Sequence, residues 1–116
     1  MNASPDVLPR LMAIIEDRKA TLPERSYTTT LFAGGVEKIG AKITEEAGEV
    51  VGAAAEPGDE GRQHLVHEAA DLVYHLCVML VHRGIALADV EQELARRFGI
   101  SGLDEKAARP TKPGES

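Results

Sequence analysis

Apolar side chains recur at intervals of three and four along most of this sequence, the spacing that gathers them on one face of a helix; the alternation of a half-buried strand is absent. The clearest run covers residues 36–55, where Val36, Ile39, Ile43, Ala47, Val50 and Ala54 define a long amphipathic helix. The turn formers of EPGDEG, residues 56–61, end it. Another helix is predicted over about 62–83, with Leu65, Ala69, Leu72, Val73, Leu76 and Leu80 on one side, Tyr74 and Val78 on others, and Gly84 at its C-terminal cap. Apolar over so much of its circumference, it is expected at the centre, touching neighbours on more than one face.

Upstream, Ser4 or Asp6 is suited to cap a first helix with Pro5 or Pro9 in its opening turn, and the stripe Leu8, Leu11, Ile14 and Ile15 carries it to about Lys19. Residues 20–25 contain Pro23 and read as a connector, after which Ser26 caps a short helical segment through Phe32 that Gly34 and Gly35 interrupt. Leu87, Val90, Leu94 and Phe98 mark a last helix over 87–98. The remainder reads as loop with a turn around 103–108. The predicted fold is all-α, an up-and-down bundle of four main helices. Residues 1–109 are expected to form one domain and 110–116 a disordered tail.

With two Phe, two Tyr and no Trp, the interior falls to aliphatic side chains. A net charge of −6 argues against a broad nucleic-acid footprint, which needs Lys and Arg in excess on one face. The apolar run 76–81 meets His82 and Arg83 far short of the roughly 20 residues a bilayer span requires, so no membrane partner is expected. Asp6, Pro9 and Arg10 break any secretory signal core, and the lone Cys77 lies among apolar residues, as an inert buried thiol does. Both point to the cytoplasm.

The acidic residues bring in chemistry. At roughly 100° per residue, Glu46 and Glu49 of ITEEAGEVV flank the apolar face of their helix, and Glu68 and Asp71 of HEAADLVYH do the same on the next one. A single ExxE is ordinarily a solvated face. Here two such rows stand at the core boundary of consecutive long helices, and antiparallel packing across a short connector makes them converge. Carboxylates that close either hold protons or gather hard cations, and an all-oxygen ligand set favours Mg²⁺ or Mn²⁺ over zinc.

Around them, His75 one turn after Asp71 is placed to orient a carboxylate, to contact substrate, or to be satisfied at a helix interface. His64, His67 and His82 have weaker claims, and HxxHE is not the HExxH of zinc hydrolases; His64 and His67 read as solvated residues near a helix start. Lys38 and Lys42 share a side of the helix with Glu45 and Glu49, where they either balance charge or hold phosphate oxygens.

Taken in order, SYTTTLF, KITEEAGEVV, EAADLVYHL and GLDEKAAR resemble the phosphoribosyl-ATP pyrophosphohydrolases of histidine biosynthesis, members of the all-α, MazG-like nucleotide pyrophosphohydrolases. The resemblance implies Mg²⁺-dependent hydrolysis of phosphoribosyl-ATP to phosphoribosyl-AMP and pyrophosphate by a homo-oligomer, in its usual form a dimer. It also implies Glu46, Glu49, Glu68 and Asp71 as metal ligands, with Glu45 as a further ligand or a water-orienting base. Lys38 and Lys42 match phosphate contacts less closely. Two positions depart from the family pattern: Thr44 stands where Gly is common before the double Glu, and Ala86 where a Ser caps the last helix. The second departure costs about 1 kcal/mol of capping unless Asp89 takes over.

Two other readings compete. A housekeeping hydrolase of non-standard nucleoside triphosphates shares the metal groove and differs in what it turns over. A non-enzymatic helical interaction module would leave the acidic rows facing solvent, and Mg²⁺ would not move its melting temperature.

Overall fold

The computed structural model describes residues 6–100. Four helices and no strand occur among them: α1 (Val7–Thr21), α2 (Tyr27–Ala54), α3 (Gly58–His82) and α4 (Leu87–Phe98). The fold is all-α, as the periodicity predicts. Ser4 and Pro5, the turn around 103–108, the GLDEKAAR stretch and the tail at 110–116 lie outside the described residues.

Helix α1 ends with Leu22 in the left-handed conformation (φ 48°), its N–H donating to the Arg18 carbonyl at 2.8 Å. Lys19, in the last turn of α1, reaches across to the end of α3, where its Nζ donates to the carbonyls of Val81 at 3.0 Å and His82 at 3.3 Å. A cation there meets the negative end of the α3 dipole, at the His82 carbonyl and at the Val81 carbonyl, which also accepts from the Gly84 N–H at 2.9 Å. Ser26 caps α2 as expected, Oγ accepting from the Thr29 N–H at 3.3 Å while Arg18 donates to the same oxygen at 3.3 Å.

Helix α2 joins what the sequence pattern divides. The segments on either side of Gly34 and Gly35 run on without a loop, and only Gly35 leaves helical geometry, at φ 69° and ψ −159°. That backbone region is essentially reserved for glycine, so the sequence signal is correct in place and marks a kink rather than a gap.

Helix α3 starts at Gly58, four residues before the expected Arg62, which leaves a connector of only 55–57. Pro57 occupies the N-cap position, and Asp59 and Glu60 fall in the first turn, where the helix dipole favours carboxylates. Those are helix-start signals hidden in a stretch that composition marks as a turn. Gly61 is required by a close approach: a Cβ there would stand 2.3 Å from the Glu56 carbonyl oxygen.

Helices α1, α2 and α3 pack against one another within one compact unit that ends at Gly84, whose largest fully buried side chains are Ile15, Leu31, Ile39 and Val78. Met12, Ala53, Cys77 and Val81 complete the interior. This corrects the predicted faces. Val78 is fully buried, whereas Val73, Leu76, Val36, Ile14 and Leu8 are exposed. The reason is visible on α3: its buried residues include Glu68 and His75, so an apolar-only pattern misplaces the inward face. By length and hydropathy alone α3 is sufficient to cross a bilayer, but it packs on both α1 and α2 and buries a carboxylate and an imidazole.

Among the described residues, those from Ile85 onward belong to a second unit, which contains α4. Ala86 gives α4 no side-chain cap, and Asp89 compensates: its Oδ2 accepts from the Ala86 N–H at 3.2 Å. Gly99 closes the helix at φ 67°, and Glu93 pairs with Arg96 and Arg97 at 2.6 and 2.9 Å.

Candidate metal centre

The helices α2 and α3 run antiparallel. Glu49, late in α2, meets Glu68, early in α3, while Tyr27 and Thr28 at the start of α2 meet His75 and Tyr74 beyond the middle of α3. Each helix presents a cluster of metal-competent side chains, Glu45, Glu46 and Glu49 on α2 and His67, Glu68 and Asp71 on α3. Within each cluster the ligand atoms lie within 4.8 Å of one another. The predicted quartet Glu46, Glu49, Glu68 and Asp71 is thereby drawn from both sides of one interface.

Burial within the quartet is graded. Glu46 is 5 % exposed and Glu68 8 %, while Asp71 is half-buried and Glu49 is open to solvent. Contact with the Glu49 carboxyl, burial, and the negative charges of Glu49, Asp71 and Glu68 push the Glu46 carboxyl up to about 7. Glu49 moves the other way, held below the usual carboxylate range by the carboxyls of Glu46 and Glu68, with Lys42 and His64 adding to the shift. In the metal-free protein Glu46 therefore gives up its proton less readily than Glu49.

Glu68 carries the sharpest mark of a missing partner. Its Oε2 accepts from His64 Nε2 at 3.0 Å, but no donor reaches its buried Oε1. Leaving a buried carboxylate oxygen without a donor is costly, and an oxygen-seeking cation removes that cost. The residues thus fit a hard divalent ion: oxygen donors from two helices, excess negative charge, and an oxygen with nothing donating to it.

The residues around the acids divide into those held in place and those free to move. His75 is buried, with Nδ1 donating to the Asp71 carbonyl at 2.9 Å and standing 3.9 Å from Glu46 Oε1. Because a carbonyl only accepts, Nδ1 carries a proton, and in the tautomer protonated there alone Nε2 accepts from the Tyr27 hydroxyl at 2.9 Å. Tyr27 and Tyr74 stack with ring centroids 6.3 Å apart, Thr28 bonds the Tyr74 hydroxyl, and burial raises the Tyr27 phenol above its ordinary pKa. Lys42 binds Glu45 at 3.2 Å on the exposed edge, a contact that raises the lysine's pKa. Lys38 lies over Gly34, with no ion pair among the described residues.

Two features of the site are not legible in the sequence. His64 is not a loosely solvated residue: its Nδ1 lies 3.0 Å from both Glu56 oxygens while Nε2 holds Glu68. The i,i+4 spacing of His64 and Glu68 was readable, but Glu56 joins them only through the tight turn at Gly61. The aromatic group Tyr27, Tyr74 and His75 is the other, because it depends on the pairing of two helix ends remote in sequence.

Residues 8–98 match the family model described as phosphoribosyl-ATP pyrophosphohydrolase. The chain is similar to a protein called phosphoribosyl-ATP pyrophosphatase in Rhodopirellula baltica, 56% identical over 105 residues that cover 90% of this chain and 88% of the relative. Proteins of the same name are 50% identical in Methylococcus capsulatus, over 90% of this chain and 96% of the relative, and in Geobacter sulfurreducens, over 94% and 98%.

Proposed function

The chain belongs to the phosphoribosyl-ATP pyrophosphohydrolase family and hydrolyses phosphoribosyl-ATP to phosphoribosyl-AMP and pyrophosphate in histidine biosynthesis; we propose that Glu46, Glu49, Glu68 and Asp71 support this reaction by holding Mg²⁺, with Mn²⁺ as a substitute. The observation that carries the metal assignment is the buried Oε1 of Glu68, undonated and beside carboxyls that already compete for a proton.

Glu46, Glu49, Glu68 and Asp71 would hold the ion, which when bound would supply neutralisation of polyphosphate charge and a more acidic water, chemistry that calls for no Ser or Cys nucleophile. Cys77, buried and with its thiol pKa raised by burial, takes no part. Glu45, exposed beside Glu46, serves as a further ligand or orients the attacking water, while Lys38 and Lys42 attract phosphate oxygens to the rim. His75, bonded through both ring nitrogens, steadies the helix interface next to Glu46 and Asp71 and borders the substrate.

The working form is a homo-oligomer, most simply a dimer. Val51 is 71% exposed and Val66 65%, alongside the exposed Val73 and Leu76, and a second copy that covers such side chains gains about 25 cal/mol per Å² removed from water. Light scattering on the parent and on Val66→Lys tests this. A reducing cytoplasm suits the single free thiol, and a net charge of −6 suits neither nucleic acid nor an anionic membrane as partner.

Pyrophosphate release from phosphoribosyl-ATP should require added Mg²⁺ and stop with EDTA. Release that persists in EDTA overturns the metal assignment. Common triphosphates turned over as fast as phosphoribosyl-ATP would favour the housekeeping reading.

A further inference from the structure

We propose that His64 is a positioning residue for the metal centre, anchored by Glu56 and holding the Glu68 carboxylate by Oε2 so that Oε1 is fixed as the oxygen presented to the ion. The proposal rests on the metal assignment above. Its own support is geometric.

Glu56 and Glu68 are both acceptors, and one imidazole lies between them: Nδ1 is 3.0 Å from Glu56 Oε1 and Oε2, and Nε2 is 3.0 Å from Glu68 Oε2. Acceptors facing both ring nitrogens call for a proton on each, so the geometry favours the imidazolium form. The arrangement is built from the connector up. Gly61 lets the first turn of α3 sit against the Glu56 carbonyl, which brings the Glu56 side chain within reach of His64 one turn further on.

The consequence for Glu68 is loss of freedom. A glutamate side chain surrenders rotamer entropy when fixed, and here His64 fixes it before any ion arrives. Partners that orient metal ligands typically change metal affinity by about 10- to 100-fold. Charge acts in the opposite direction, because an imidazolium beside the site repels a dication. The anchoring Glu56 carboxylate offsets that repulsion, so the pair works as a nearly neutral clamp.

The test separates the two effects by comparing variants of equal charge. His64→Gln keeps an N–H donor at the reach of Nε2; His64→Asn keeps one at the reach of Nδ1, toward Glu56 only; His64→Ala keeps none. All three remove the positive charge. The Mn²⁺ dissociation constant is read from the electron paramagnetic resonance of free Mn²⁺, without substrate, with circular dichroism and the EDTA melting temperature as folding controls.

Glu68→Gln reports on the underlying metal site. The expected order is Gln binding Mn²⁺ about ten-fold tighter than Asn and Ala, which match each other. Equal affinities for the three, with Glu68→Gln clearly weaker than the parent, overturn the role of His64 and leave the metal site standing. A parent that binds no Mn²⁺, or a Glu68→Gln variant that binds as the parent does, overturns both. If Ala fails the folding controls, the Gln-to-Asn comparison decides alone.

Discussion

The hydroxyl of Tyr27 lies 2.9 Å from Nε2 of His75, and through that ring the first turn of α2 is tied to the backbone of Asp71 at 2.9 Å. The bond connects the capped start of one helix to the acidic row of the other. Tyr27→Phe keeps the ring stack on Tyr74 and deletes only this donor. It should cost about 1 kcal/mol, roughly 4 °C in melting temperature and roughly five-fold in turnover. Parental values for both would show that His75 is held by its Asp71 bond alone.

The ligand assignment predicts a separation between folding and catalysis. Glu49→Gln and Asp71→Asn each remove one charge from residues outside the fully buried core. Helicity should be kept, while pyrophosphate release falls roughly 100-fold or more and the melting temperature no longer rises with Mg²⁺. Either variant working at the parental rate in Mg²⁺ removes that residue from the ligand set.

The raised Glu46 carboxyl sets the pH behaviour of the metal-free protein. Its pKa is about 7 in the fold against an ordinary 4.5, so between those values the native state binds the extra proton. Stability must then fall as pH rises across that window and level off above it. His64, also raised, acts in the same direction. In EDTA the melting temperature should decline from pH 5 to pH 7.5, more steeply for the parent than for Glu46→Gln. The Mg²⁺-induced rise should grow over the same range, because proton and cation compete for one site. A parental slope no steeper than that of Glu46→Gln contradicts the assignment of the proton to Glu46.

Much of this architecture is local enough to be read from the sequence. Ser26 before a helical run, Gly84 and Gly99 after two others, and acidic pairs three apart at the core boundary are each settled within a turn or two. What escapes depends on partners distant along the chain. Val78 is buried, though it falls outside the apolar stripe, because α3 has neighbours on two sides. His64 acquires its role from Glu56 across a turn that composition alone marks as a break. The meeting of Tyr27 with His75 follows from the antiparallel register of two helices, which no spacing within either helix encodes.

The kink at Gly35 offers the clearest test that backbone conformation, rather than propensity, shapes α2. At φ 69° and ψ −159° an L side chain is strained by about 1–3 kcal/mol, even though the nearest atom to an added Cβ, His82 Nε2, is a comfortable 4.0 Å away. Gly35→Ala should therefore lower the melting temperature by roughly 4 °C or more, with no steric clash to blame. Gly52, on the same helix with helical geometry and nothing within 4 Å of an added Cβ, should respond oppositely: Gly52→Ala stabilises by about 0.5–1 kcal/mol through the entropy glycine loses on folding. Opposite signs at two glycines of one helix, measured by thermal denaturation in EDTA, can arise only if α2 is bent at residue 35 and regular at residue 52. Stabilisation by both substitutions would mean a helix that runs straight through residue 35.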